Sequence, residues 1–511
     1  GIRSRTFFLY SYGNHAGKAG EIFILFLLKN SRMTTDIYTP TVRRDDSERE
    51  VLHLFPNELF SAFIFLITLS LLGLEFPPAY LFLPVVLFTT FLRNRYDFLI
   101  QFTLLCGTFG FYSDDEAFPF KWMDIALLLS IITIVIYRRD KTLNKLLLFT
   151  GGYFAVLFLL ALTSSESIMI QIRRMREYWG IIYFMFPLLI FAREEFDIKI
   201  FYRKILTYAF IIAIFYIIDS LIFGGNILIP RTFSYSGLYS TYYKFYCYPG
   251  SFPRKYPHGL FILALCIFPI LKFYSLQIKH IIVFALSLIV CRTFSVIGGI
   301  ILTMFFFMGN TVKTIKYIAI GIIVFIAGYY IDGAMDGQLR IQQLVQQFEV
   351  LKNPNDPELL IKFGTGRIAQ ILPKLDYMLS TGKQYTGFGF LHDDLTTNNQ
   401  FVITNEFYTD VTQSEETVAR VEVTQVQTIL DAGLIGFLIQ TFYYLAIYFW
   451  VLRPLPYSKS YLIVLFCISF FGIGGFAGLI SRQGLLLLGL TTAAILLCQK
   501  QQTENINNTS T

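Results

Sequence analysis

The sequence predicts an all-α polytopic integral membrane protein of about 12–14 transmembrane helices, with one large periplasmic helical loop between late spans. Three observations lead there: an apolar composition, a train of long hydrophobic runs, and basic residues that cluster in alternate connections. Hydrophobic residues make up 55% of the 511 positions, aromatic residues 17% and charged residues only 15%. Soluble domains carry about 25% charged residues, so this composition points away from a water-soluble protein. The mean hydropathy of +0.56 agrees. The formal net charge of +7 is what basic cytoplasmic loops give, and it is no argument for nucleic acid.

Apolar runs of spanning character fall near 58–76, 77–92, 97–112, 120–137, 145–162, 177–192 and 204–224. Further runs follow near 257–275, 278–291, 293–309, 313–331, 427–452, 459–476 and 482–499. Several are shorter than the roughly 20 residues of a straight span, so neighbours can merge. The expected division is 1–56 as an N-terminal extension and cytoplasmic segment, 57–332 as a transmembrane domain and 333–426 as the large periplasmic loop or cap. C-terminal spans over 427–499 and a cytoplasmic tail over 500–511 complete it. Met33 reads as a natural start, which makes residues 1–32 an upstream extension; the apolar run Ile22 to Leu28 is too short to span.

Orientation follows from charge. With the N-terminus inside, Arg93, Arg95, Arg138, Arg139, Lys141, Lys145, Arg203, Lys204, Lys272, Lys279, Lys313, Lys316, Arg453 and Lys459 all fall on the cytoplasmic side. The first outer loop is acidic (Asp114, Asp115, Glu116). Against this rule, Arg173, Arg174, Arg176, Arg231, Arg254, Arg292 and Arg482 face outward. Cations kept there suggest an anionic ligand at the outer membrane surface, and a diphosphate-linked lipid is the obvious candidate. Five of the six cysteines lie in or beside apolar spans, and no spacing suggests a disulfide framework or a metal site.

Four stretches could carry chemistry. The first, Gln171 to Trp179, holds Arg173, Arg174 and Arg176 beside Tyr178 and Trp179. Arg173 and Arg176 share a helical face, and planar guanidinium forks suit diphosphate oxygens; interfacial anchoring is the alternative role for the same residues. The second is Cys291-Arg292-Thr293-Phe294-Ser295, with Arg292 at the membrane boundary between two apolar runs, a costly place for an unpaired charge. The third runs from Arg231 to His258 through many tyrosines and Arg254, a mixture suited to sugar and phosphate. The fourth is Gly364-Thr365-Gly366-Arg367, then Gly387-Phe388-Gly389, then Glu422-Val423-Thr424, then Asp431-Ala432-Gly433-Leu434-Ile435-Gly436. Within the large loop, helices are expected over Gln338–Leu351 and from Arg367 to Leu379.

In their order and topology these stretches resemble the O-antigen ligase and O-antigen polymerase superfamily of bacterial envelope glycosyltransferases, over about residues 145–495. Arg292-Thr293-Phe294-Ser295 echoes the family's Ser-x-Ser-Arg-like turn in altered order. Arg367 with Gly387-Phe388-Gly389 matches the Arg and Gly-x-Gly turn of the periplasmic loop, and Gly433 with Gly436 matches the opening of the following span. The resemblance implies transfer of a polyprenyl-diphosphate-linked oligosaccharide onto a glycan or lipid A core hydroxyl at the periplasmic face of the inner membrane. It implies no cofactor, no metal and no nucleic acid. Arg173, Arg176 and Arg292 would hold the diphosphate, with Arg367 joining as the cap closes. Arg231, Arg254 and His258 would contact substrate, and Arg292 would also stabilise the departing diphosphate. Family ligases carry His-Asn where this chain has Glu422-Val423, so Glu422 takes the role of base, with His392 and His258 as substitutes. That departure favours a polymerase over a ligase. A lipid-linked glycan flippase and a metal-dependent membrane glycosyltransferase using Asp114, Asp115 and Glu116 are the alternatives.

Overall fold

The computed structural model describes residues 49–73, 76–106, 122–163, 167–175, 178, 180–192, 195–222, 262–291, 294–308, 311–334, 341–342, 345, 367–390, 423–473, 479 and 482–509. These residues are mostly helical. In chain order the helices are α1 (Pro56–Gly73), α2 (Ala79–Arg93), α3 (Arg95–Cys106), α4 (Trp122–Ile136), α5 (Lys141–Ala161) and α6 (Ile168–Met175). Then come α7 (Ile198–Leu221), α8 (Ile262–Lys272), α9 (Ile278–Cys291), α10 (Phe294–Phe307) and α11 (Thr311–Ala334). The last four are α12 (Arg367–Ser380), α13 (Thr424–Ala446), α14 (Lys459–Ile473) and α15 (Arg482–Thr509). A two-residue parallel bridge, β1 (Glu50–Val51) with β2 (Tyr274–Ser275), is a small departure from the all-α expectation.

Among the described residues, three helical stretches are long and apolar enough, by length and composition, to cross a membrane: Lys141–Ala161, Ile198–Asp219 and Thr424–Leu452, the last of them interrupted at Gly433. Further apolar stretches, such as Ala79–Arg93 and Lys459–Ile473, are shorter. Outer helix faces carry large apolar side chains, as at Leu81, Phe88 and Leu92 of α2, Leu148 of α5 and Ile278 of α9. Several polar ones, such as Thr150, Thr491 and Thr492, are buried. Each of these threonines bonds the carbonyl four residues back, so its hydroxyl is satisfied within its own helix.

Capping explains two of the long helices. Asp140 accepts from the amides of Thr142 and Leu143 to start α5, and Asp197 accepts from Lys199 and Ile200 to start α7. The run expected to span 177–192 is instead broken into a 3-10 turn, Gly180–Phe184, and a single helical turn, Pro187–Ile190. Proline at the second piece cannot continue the ladder. Ser130 of α4 repairs the gap: its hydroxyl accepts from the amides of Met185 and Phe186 at 3.0 and 3.1 Å and donates to the Tyr183 carbonyl at 2.8 Å. Backbone freed by a break needs such a partner wherever water is absent.

The first turns of α1 and α3 and the second turn of α7 meet in a buried ionic cluster. Lys204 Nζ lies 3.0 Å from Asp97 Oδ2 and 3.3 Å from Glu58 Oε1, while Arg203 reaches Glu58 at 3.2 Å. Beneath them the Gln101 amide donates to the Tyr208 hydroxyl at 2.8 Å. Arg203 and Lys204, expected as cations of a cytoplasmic loop, are thus helical and neutralised within the fold. Nearby, Lys199 pairs with Glu50 of β1 at 3.2 Å.

Candidate functional site

The most elaborate junction joins α13, the residues after α12, and α6. Gly433 takes φ +68° and interrupts α13, so Thr424–Ala432 and the residues after Gly433 are two helices meeting at an angle. The Thr428 hydroxyl bonds Gln440 Oε1 at 3.2 Å. In a straight helix these residues would stand about 18 Å apart along the axis, so the chain folds back sharply at Gly433.

The Gly-Phe-Gly segment fills that break. The amides of Phe388 and Gly389 donate to the carbonyls of Leu430 and Asp431 at 2.8 and 3.0 Å. In return the amides of Leu434 and Ile435 donate to the carbonyls of Gln384 and Tyr385 at 2.9 and 3.2 Å. Residues 384–389 are therefore spliced into the broken helix and take up the bonds that it lost. The approach demands glycine on both sides. A Cβ on Gly387 would sit 2.5 Å from the Asp431 carbonyl oxygen, and one on Gly433 would overlap the Tyr385 carbonyl.

Asp431 lies at this apex, 2% exposed. Its Oδ2 accepts from the Tyr178 hydroxyl at 2.6 Å and its Oδ1 from the Gln427 amide at 2.6 Å. Tyr178 stacks edge-on against Phe390, whose amide donates to buried Gln171 Oε1 of α6 at 2.5 Å. From α12, Ile371, Lys374, Leu375 and Met378 fall on one face at helical spacing, and this face meets Leu430 and Phe388. Lys374 is 2% exposed. Burial pulls its ammonium down to about 8, against the opposing attraction of Asp431.

The structure thus brings together, at the level of the chain, the Gln171–Tyr178 stretch, the helix that Arg367 opens, Gly387-Phe388-Gly389, Val423-Thr424, and Asp431 to Gly436. Arg173 falls in α6 and Arg367 at the first position of α12, but their side chains lie outside the described residues. Arg176, Arg231, Arg254, His258, Arg292, His392 and Glu422 also lie outside them, as do Asp114, Asp115 and Glu116. Among the described residues, no three His, Cys, Asp or Glu side chains converge as metal ligands.

Sequence reasoning gave no role to Gln171, Lys374 or Gln427, treated Tyr178 as an interfacial aromatic, and held Asp431 as part of the fourth stretch without a role of its own. Lys374 had a visible signal, since a lysine on the apolar face of an amphipathic helix must be buried or the helix exposed. The chain matches no family model, no curated protein and no solved structure.

Proposed function

We propose that this protein is a membrane-embedded glycosyltransferase of the O-antigen polymerase and ligase type, with polymerase activity favoured. It moves a polyprenyl-diphosphate-linked glycan onto a sugar hydroxyl at the outer face of the membrane in which it sits. The observation that carries the reading is the junction at Asp431. Stretches named from the sequence for their order alone, up to 265 positions apart between Gln171 and Gly436, meet around one buried carboxylate. Chemically, the outward arginines bind the diphosphate and stabilise the charge that develops on it as it leaves. Glu422, one residue before the described start of the α13 segment, takes the proton of the acceptor hydroxyl as its oxygen attacks the anomeric carbon.

A polytopic arrangement is supported by which ends meet. Under alternate threading, α1, α3 and α7 all begin on the inner side, and their opening two turns share the Glu58, Asp97 and Lys204 cluster. Lys500 near the C-terminal end lies beside Tyr137, again on the inner side by that threading. Lys383 and Thr163, both outer by the same count, also meet.

The test is reconstitution of the purified protein in liposomes with a polyprenyl-diphosphate oligosaccharide, followed by glycan sizing. Wild type lengthens the lipid-linked glycan, and Arg292→Ala and Glu422→Gln do not. Transfer at wild-type rate by both variants would overturn the site. Chelator-sensitive turnover would move the reading to the metal-dependent alternative.

Transport of the same lipid-linked glycan is a second reading. It is favoured by the two interrupted helices, at Gly180–Ile190 and at Gly433, a device that carriers use to present backbone groups to a ligand. Movement of a labelled lipid-linked glycan between leaflets, without any new glycosidic bond, would select it.

A further inference from the structure

The cluster that joins α1, α3 and α7 holds groups that the proposed reaction does not use. Each helix contributes two polar residues about one turn apart: Glu58 and Ser61 from α1, Asp97 and Gln101 from α3, Lys204 and Tyr208 from α7. They form two layers. In the first, Lys204 Nζ lies 3.0 Å from Asp97 Oδ2 and 3.3 Å from Glu58 Oε1. In the second, Gln101 Nε2 donates to the Tyr208 hydroxyl at 2.8 Å and to Ser61 Oγ at 3.4 Å. Two oxygens are left over. Asp97 Oδ1 and Gln101 Oε1 are buried, and neither has a hydrogen-bond donor among the described residues. Their residues stand four positions apart on one face of α3, so a single donor between the layers can serve both.

Charge points the same way. Glu58, Asp97 and Lys204 are buried, two carboxyl groups against one ammonium, while Arg203 reaches Glu58 with a side chain 27% exposed. A buried charge without balance is costly, and a carboxylate so placed takes up a proton instead. Glu58 is not the place for it: Oε1 faces Lys204 and Arg203, and Oε2 accepts from the Thr207 hydroxyl at 3.5 Å. Asp97 has an oxygen to spare. We propose that Asp97 and Gln101 form a proton-binding site, in which one proton rests on Asp97 Oδ1 and is donated to Gln101 Oε1. The proton comes from water; one O–H bond forms on Asp97, and no bond of the chain breaks. It satisfies both free acceptors and makes the buried trio neutral, and Lys204 keeps Oδ2 in either form. The groups that face Asp97 are Glu58 from α1, and Arg203, Lys204 and Tyr208 from α7. Helices α2 and α4 also pack on α3, but their described charged residues, Arg93 and Asp124, are exposed. The inference does not depend on the glycosyltransferase reading, which uses none of these residues.

The test is infrared difference spectroscopy of the full chain in lipid nanodiscs at neutral pH. A protonated carboxylic acid shows a carbonyl stretch well separated from the bands of a carboxylate. Wild type minus Asp97→Asn should leave such an acid band, and Glu58→Gln should retain it. Asparagine has the shape of the protonated acid and can donate to Gln101, so Asp97→Asn should melt like wild type. Should that variant fail to fold, wild type carrying an isotope label in the aspartate carboxyl carbon replaces it. The labelled acid band should then shift in Gln101→Leu, which lacks the acceptor. A spectrum without an acid band from Asp97, or a labelled band that Gln101→Leu leaves unmoved, overturns the proposal. Asp97 would then be ionised, and its free oxygen would belong to a reversed Gln101 amide or to a bound cation. A band that Glu58→Gln removes and Asp97→Asn leaves in place would put the proton on Glu58 and overturn it as well.

Discussion

The Tyr178 hydroxyl donates to Asp431 Oδ2 across 2.6 Å and joins positions 253 residues apart in the chain. Both groups are buried, so neither can exchange this partner for water without opening the junction. A hydrogen bond to a charged acceptor contributes about 1.5–3 kcal/mol. A double-mutant cycle of Tyr178→Phe with Asp431→Asn should therefore show a coupling of about 2 kcal/mol in denaturation of the solubilised protein. Strictly additive losses would mean that the two side chains act independently.

The splice makes a sharper demand on glycine. Gly433→Ala and Gly387→Ala each combine a left-handed backbone with overlap against a facing main chain, so each should cost about 3 kcal/mol or more and abolish activity. Gly382 is the internal control. It also has positive φ, +71°, but a Cβ there meets nothing within 4 Å. Gly382→Ala should cost only about 1 kcal/mol and spare function. Equal effects at Gly382 and Gly433 would remove the splice as the reason for the glycines.

Ser130 offers a third test, away from the junction. Ser130→Ala leaves the amides of Met185 and Phe186 and the Tyr183 carbonyl without their partner inside the helical core. Leaving buried polar groups unmade costs about 1–3 kcal/mol each, so the variant should melt markedly lower than wild type. Ser130→Cys, a weaker donor of similar size, should fall between the two.

Much of the helical architecture was legible because apolar runs record it directly. The helix expected from Arg367 to Leu379 is present as Arg367–Ser380, since its period is strong. What the runs could not show was interruption. The apolar side chains of Gly180–Ile190 and of Thr424–Ala446 look alike whether the backbone is continuous or broken. The breaks are decided by Ser130 and by residues 384–389, which are distant in sequence. For the same reason the Gly-Phe-Gly and Asp431 motifs were visible as motifs while their meeting was not. Lys204 was legible as a charge near a span start but not as a buried one, because its partners, Glu58 and Asp97, lie far away in sequence.

That cluster yields its own prediction. Removing one member of a buried ion pair strands the other, at a cost of about 3–5 kcal/mol, whereas removing both is often tolerated. Lys204→Met alone should therefore destabilise strongly, because Asp97 Oδ2 and Glu58 Oε1 lose the same partner. The double variant Lys204→Met with Asp97→Leu should recover a large part of that loss. A double variant worse than the sum of its parts would mean that the cluster is more than a lock between α1, α3 and α7.

Lys374 makes stability depend on pH in a direction that can be worked out. Its folded-state pKa of about 8 lies below the ordinary 10.5, so the fold prefers the neutral amine. The cost of carrying the charge is fully present below about 8 and disappears as pH rises towards 10.5, so stability should increase over that interval. A shift of this size corresponds to about 3 kcal/mol. Wild type should thus gain stability between neutral pH and about pH 9.5 relative to Lys374→Met, which has no amine to deprotonate at that position. The same slope in Lys374→Met would place the titration elsewhere.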